Sequence, residues 1–190
     1  EYRLRCADGS ERWVLDYTRF LPDDPERAAH GYLLDITERK RSEAIWQARA
    51  RLAEFASTHS LGELLTATLD EVEALTDSRI GFYHFLEADQ HTLSLQAWST
   101  RTVRESCTAQ GFDRHYDVSR AGIWVDCIRE RRPVIHNDYA AAPGRQGMPD
   151  GHAAVTREVV VPVFRGDQIV AVLGVGNKPW PYGDEDVRVV

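Results

Sequence analysis

The chain has 190 residues, 43% of them hydrophobic and 28% charged, with a formal net charge of −7. That is enough apolar material for one large domain, or one small domain plus a piece of another, and the acidic balance argues against nucleic acid, whose phosphates need a clustered positive surface. No apolar run approaches the roughly 20 residues of a membrane helix, no signal peptide opens the chain, and Cys6, Cys107 and Cys127 make neither a disulfide framework nor a CxxC zinc pair, so a reducing, cytoplasmic setting is expected.

The N-terminal stretch starts at "EYRLRC" without methionine and reads as the inside of a longer chain. Residues 1–34 alternate as strands do. Tyr2, Leu4 and Cys6 precede the Asp-Gly turn of "ADGS", Trp13, Leu15 and Tyr17 follow it, and "GYLLDI" is a third strand beyond a polar loop. Three strands do not enclose a core by themselves. "DITERKRSE" opens a helix, with Asp35 as cap and Glu38 completing a capping box. Along it Ile45, Ala48, Leu52 and Phe55 form either a short coiled-coil seam or the inner face of an amphipathic helix. Ser60 and Glu63 cap a second helix, whose wide apolar face is Leu61, Leu64, Leu65, Leu69, Val72 and Leu75, with Asp70, Glu71 and Glu73 assigned to the wet side.

From residue 79 the pattern turns α/β. "RIGFYHFLE" and "HTLSLQAWS" are strands, "TRTVRESCTA" a short helix and "GFDRHYDVS" irregular. "RAGIWVDCIRERR" is a helix with Ile123, Trp124, Cys127 and Ile128 on one face; Pro133 stops it and "PVIHND" is a strand. A long glycine- and proline-bearing loop, "YAAAPGRQGMPDGHAAV", has the length of a lid. "REVVVPVFRGDQIVAVLGVGNK" is a pair of buried strands around a turn, and "WPYGDEDV" begins a further helix.

Two parts of this pattern resemble known sensor families. The strand pair around "DGSERWV", the strand "GYLLDITERKRSE" and its exit into a helix resemble the C-terminal part of a PAS domain. The two helices, "SRIGFYHF", "LSLQAWS", "RPVIHND", the "REVVVPVFRGDQIVAVLGVGNK" hairpin and the following "DEDV" resemble a GAF domain. The resemblance implies an α+β fold, an antiparallel sheet flanked by helices and preceded by a partial PAS sheet. The boundaries are 1–36 for the PAS strands, 37–56 for a linker helix and 57–190 for the GAF domain. It further implies a non-catalytic sensory module of a bacterial signalling protein, a sensor histidine kinase or alternatively a diguanylate cyclase or phosphodiesterase. Its expected partners are an unidentified small-molecule ligand, a second copy through the linker helix and an output domain of the same longer chain; no cofactor is assigned.

Cys127, His136 and Asp138 first suggest a nucleophile, its base and an orienting carboxylate. Cys127, however, lies on the apolar stripe of its helix, where a thiol is inert, while His136 shares a strand face with Val134. A metal set of Cys107, His115, Cys127 and His136 has no spacing that forces convergence. The favoured reading is a ligand pocket between the sheet and the segments 99–155. Its candidate lining is Tyr83, Trp98, Trp124, Cys127, His136, Asn137, Asp138, Tyr139, His152 and Arg157, with His115 and Tyr116 nearby. Core packing for the tryptophans, turn capping for Asp138, and pairing of Arg157 with Asp138 or Glu158 are the competing structural roles. Redox sensing by Cys107 and Cys127, and a purely dimerising GAF domain with a filled cavity, stay open.

Overall fold

The computed structural model describes residues 1–7, 9–20, 29–106, 115–144 and 154–190. They form two compact units, Glu1–Ala50 and Arg51–Val190. The division falls inside the helix Thr37–Ala56.

The first unit is an antiparallel sheet in the order β1 (Tyr2–Arg5), β2 (Glu11–Phe20), β3 (Ala29–Asp35), followed by the start of α1 (Thr37–Ala56). Gly9 at φ +83° closes the hairpin, in the left-handed region that glycine enters without steric cost. The register pairs Tyr2 with Val14 and Leu4 with Arg12, so the Tyr2–Leu4 stripe and the Trp13–Leu15–Tyr17 stripe lie on opposite faces. Both faces are therefore apolar in part, with Tyr17 stacked on Tyr32 and Leu33 and Leu34 exposed. Asp35 ends the sheet and begins the helix. It accepts from the Thr37 amide at 2.9 Å and pairs with Arg12 at 2.7 Å; hydrogen bonds from the Thr37 side chain and amide, and then from Arg12, hold its carboxyl down at about 2. Glu38, expected to close a capping box, turns instead to Arg41.

In the second unit α2 (Leu61–Thr76) carries the predicted capping box: the Ser60 amide donates to Glu63 Oε2 at 2.8 Å and Ser60 Oγ accepts from the Glu63 amide. The helix ends at Asp77, in the left-handed conformation. The sheet is fully antiparallel, in the order β6 (His115–Asp117), β5 (Thr92–Trp98), β4 (Ile80–Leu86), β9 (Gln168–Gly176), β8 (Glu158–Arg165), β7 (Val134–His136). Pro162 interrupts no ladder bond to β7, because β7 pairs only with residues 158–160 of β8 and leaves β8 an edge beyond them.

The two sheet faces are covered differently. Leu65, Leu69 and Val72 of α2 pack on Ala97, Val159, Val161, Leu173 and Val175, with Tyr83 and Phe85 beside them. The opposite face, with Leu86, Leu93, Val160, Ile169 and Val172, is covered by residues 118–130. That segment is not the continuous helix expected from "RAGIWVDCIRERR". It is two 3₁₀ turns, Val118–Arg120 and Ile123–Val125, and then the single turn α3 (Asp126–Glu130). Asp117 caps the first turn through the Ser119 amide, and extended backbone at Gly122 breaks the run, so local bonds win over helix propagation.

Two further expectations change. The helix assigned to "TRTVRESCTA" is a short π-helical turn, Thr102–Ser106, anchored by Ser99, and "GFDRHYDVS", read as irregular, contributes the edge strand β6. Glu73, assigned to the wet face, is buried: its carboxylate is hydrogen-bonded by Ser99 Oγ and sits against the Gly81 backbone. It is one helical turn beyond Leu69 and so shares the inward stripe. Burial pushes its carboxyl up. The proposed lid between Tyr139 and Val155 lies largely outside the described residues.

Candidate functional site

The site is built on β7 and its neighbours. Strand alternation points Val134 and His136 toward α3, where Val134 joins Cys127, Val160 and Val172 in one cluster. Ile135 packs on the α2 face. His136 Nδ1 lies 3.0 Å from Glu158 Oε1, its cross-strand partner, and Nε2 lies 3.7 Å from Asp126 Oδ2 at the start of α3. The imidazole thus ties α3 to the end of the sheet through two carboxylates. Glu158 is only 2% exposed. Its carboxylate beside the ring raises the proton affinity of His136, while burial pushes the Glu158 carboxyl itself up and the imidazole opposes that rise.

Cys127 is the next residue after Asp126, yet it takes no part in this network. Its thiol is wholly buried and donates to the Trp124 carbonyl at 3.4 Å. Burial, with Glu158 and Asp126 nearby, pushes it up to about 12. A thiol in this state is a packing group, not a nucleophile. The Cys–His–Asp arrangement dissolves further at Asp138, which accepts from the Ala141 amide at 3.1 Å and caps the turn that follows. Cys107 lies outside the described residues, and among those described no group of three or more His, Cys, Asp or Glu side chains is placed to hold a metal.

Beside the charged cluster stands an aromatic one. Phe82 meets Trp124 at 5.5 Å and Trp98 at 6.3 Å between ring centroids, edge to face, and His84 lies 4.7 Å from Trp124. Gly174 makes room for this group: a Cβ there would collide with the Phe82 ring. Trp98 also lines a groove of about 380 Å³ with Thr66, Gln96, Ala97, Thr100, Val103 and Arg104. No residue of that groove belongs to the His136 cluster.

The structure therefore gathers Trp98, Trp124, Cys127 and His136 on the α3 face. Tyr83, chosen for the same pocket, is on the opposite face, where it packs edge-on against Phe85 beside α2; Phe82 and His84 take the pocket side. Asn137, Asp138, Tyr139 and Arg157 lie at the strand exits. Arg157 pairs with neither Asp138 nor Glu158. Its Nη1 donates to the Lys178 carbonyl at 3.2 Å, and its buried Nε has no hydrogen-bond partner among the described residues. Asn137 binds the backbone of Tyr182 in both directions: Nδ2 donates to the Tyr182 carbonyl at 3.0 Å, and the Tyr182 amide donates to Oδ1 at 2.7 Å. Tyr139 is buried, its amide bonded to the Thr156 carbonyl. His152 lies outside the described residues. Asp126 and Glu158 were missed in the sequence, although a lone acid heading the apolar run "EVVVPV" is a signal in itself.

Two outcomes follow from this geometry. Because His136 is raised above its ordinary 6.5, its contribution to stability is complete below about that pH and is lost as pH rises through the folded value. Proton-detected titration of His136 is expected to give a midpoint above 6.5 that moves down in Glu158→Gln; an unmoved midpoint rejects the pairing. Cys127 is expected to resist alkylation and peroxide in the folded protein and to react only on unfolding, read by intact-mass analysis. Rapid labelling of Cys127 in the native state would contradict its assignment as a packing group.

Comparison with known proteins places this geometry. The methyl sulfide methyltransferase-associated sensor of Methanosarcina acetivorans is 37% identical over 162 residues, covering 81% of the chain and 16% of that protein. The chain thus spans about a sixth of its relative. Among solved structures, the GAF domain of a phosphoenolpyruvate-protein phosphotransferase from Coxiella burnetii superposes with a TM-score of 0.65 at 9% identity, over 78% of this chain and 84% of that one. The free methionine-R-sulfoxide reductase of Neisseria meningitidis, in complex with its substrate, does so at 0.58 and 14%, over 78% and 80%. At these identities the likeness is one of fold. The model of the GAF domain matches residues 58–190, and on that match, which covers well over half of its residues, the chain belongs to the GAF domain family.

Proposed function

We propose that the chain is a sensory module of a signal-transduction protein, in which the GAF sheet receives a small ligand on its α3 face and relays occupancy to an output domain, a histidine kinase in the first instance. The observation that carries this reading is the pairing of His136 with buried Glu158 and with Asp126, beside the Phe82–Trp98–Trp124 aromatic group. A few convergent polar groups on an otherwise apolar wall are what small-molecule recognition uses. A relative that carries the word sensor in its name supports the same assignment. On this reading the first unit is the C-terminal strand set of a PAS domain: three antiparallel strands, apolar on both faces, leading into a helix through Asp35 and Thr37.

A second reading, a closed GAF domain that serves only assembly, is favoured by the mutual packing of Phe82, His84 and Trp124, which leaves no gap between those rings. Native mass spectrometry with an absorbance spectrum of freshly purified protein separates the two. The sensor reading expects a bound molecule, or a metabolite that raises Tm by RT ln(1 + [L]/Kd) worth of stability, with the rise reduced in His136→Gln. An empty mass and no stabilising compound favour the closed form.

Relay through a second copy is assigned to α1. Of the residues expected in its seam, Ala48 is buried and Ile45, Leu52 and Phe55 are half-covered, while Trp46 stands 67% exposed beside Arg49. The pairing surface is accordingly placed on the Trp46 side of the helix. Light scattering over a concentration series is expected to show a dimer that Trp46→Glu weakens at least tenfold in Kd; a monomer at every concentration removes this part of the reading.

A further inference from the structure

β7 is a three-residue edge strand, hydrogen-bonded among the described residues to β8 alone. Little of its hold is ladder, so side chains decide where it sits. Its last residue, His136, is gripped on one face by Glu158 and Asp126. The next residue, Asn137, in the bend just beyond the strand, hydrogen-bonds both the carbonyl and the amide of Tyr182, whose ring packs in the α2-face core. An asparagine that binds one residue's amide and carbonyl together replaces a strand partner and fixes that segment's position.

Tyr182 belongs to a strap that follows β9. Its ring is in the α2-face core, and its hydroxyl shares a hydrogen bond with Ser78 Oγ at 2.8 Å and accepts from the Lys178 amide at 3.3 Å. Burial pushes the phenol up to about 12, so it stays neutral. Lys178 Nζ reaches both carboxylate oxygens of Asp186, at 2.6 and 2.7 Å, in a buried pair, and Asp186 also accepts from the Gly183 amide at 3.0 Å. Those contacts set the start of α4 (Asp184–Val187). A buried ion pair is strongly held only while its geometry is kept, and Tyr182 lies inside the loop that joins its two members.

We propose that Asn137 is a latch across the sheet, through which the charge state of the Asp126–His136–Glu158 cluster sets how tightly the segment 178–190 is held on the other face. Loss of charge in the cluster frees β7 from α3, the displaced Asn137 no longer satisfies Tyr182, and the strap with its Lys178–Asp186 pair loosens. The groups that face His136 are Glu158 from β8, Asp126 and Glu130 from α3, with Asp138 next along its own chain; those of the strap are Lys178, Asp184, Glu185, Asp186 and Arg188, with Arg157 donating to the Lys178 carbonyl. The latch is read from packing alone. An empty ligand site would leave it standing, and its failure would leave ligand binding untouched.

Hydrogen–deuterium exchange over residues 178–190 tests it, with the β9 amides as an internal gauge of global opening. His136→Gln, Asp126→Asn and Asn137→Ala are each expected to speed exchange of the strap roughly tenfold, the worth of one to two hydrogen bonds, with β9 unchanged. The double variant His136→Gln/Asn137→Ala should exchange no faster than Asn137→Ala, as two members of one path do not add. Strap exchange at the wild-type rate in His136→Gln, or two independent steps in the double variant, overturns the latch. Should a variant open β9 as well, the wild-type chain read below and above the His136 midpoint, corrected for intrinsic exchange, decides: strap protection must fall above the midpoint, and indifference to it overturns the proposal.

Discussion

β9 is buried on both faces, and the architecture of the larger unit follows from that constraint. Residues 169 and 171–176 are all buried, so the strand has no wet side to offer. A sheet with such a centre needs a cover on each face. One cover is a regular helix, α2, whose capped amphipathic turns supply Leu65, Leu69 and Val72. The other is the broken segment 118–130, whose alternate buried residues Ile123, Val125 and Cys127 fill the second face without forming a long helix.

That difference shapes the candidate site. A continuous helix presents one stripe, whereas two 3₁₀ turns and a single α turn present apolar groups at uneven intervals and leave Asp126 turned toward the sheet end. There it meets His136 and Glu158. Three ionisable groups can share this corner because the imidazole between the two carboxylates offsets part of the desolvation of buried Glu158 and is itself favoured in its charged form by both acids. Cys127, in the same turn, has no such compensation and remains a neutral thiol.

The sheet also transmits position. His136 ends β7 and Asn137 forms the bend just beyond it, so the two side chains connect the α3 side and the Tyr182 segment through a single peptide unit. On one side the contact is electrostatic; on the other it is a pair of hydrogen bonds to Tyr182. The C-terminal strap then gathers Ser78, Lys178 and Asp186, so that the end of α2, the end of β9 and the start of α4 are fastened at one point.

Much of the frame was legible from local pattern. The Ser60–Glu63 box, the β4–β5 hairpin, the Val-rich β8–β9 pair, the turn at Gly166 and the burial of Cys127 all rest on residues within a turn or two of one another, where periodicity and capping chemistry operate. Glu73 lies one helical turn from Leu69, so its phase points it inward although its charge suggests a wet position; the Ser99 hydrogen bond makes that burial possible. The face of Tyr83 could not be read, since both stripes of β4 are apolar and alternation alone does not say which cover each one meets. The long helix expected at 120–132 failed for another reason: extended backbone at Gly122 and the Asp117 cap bring local alternatives that a hydrophobic stripe does not register.

The sequence by itself thus determined the elements, the buried strands and the inert thiol, because each depends on neighbours along the chain. Only the tertiary structure decided that His136 sits between Asp126 and Glu158, that Arg157 turns to a carbonyl and not to an acid, and that Asn137 holds Tyr182. Those partners are brought together by strand order and by which face each cover occupies; His136 and Glu158 are 22 residues apart, and Asn137 and Tyr182 are 45 apart. Separations of that size carry no local signal, so the contacts exist only once the sheet has closed its register.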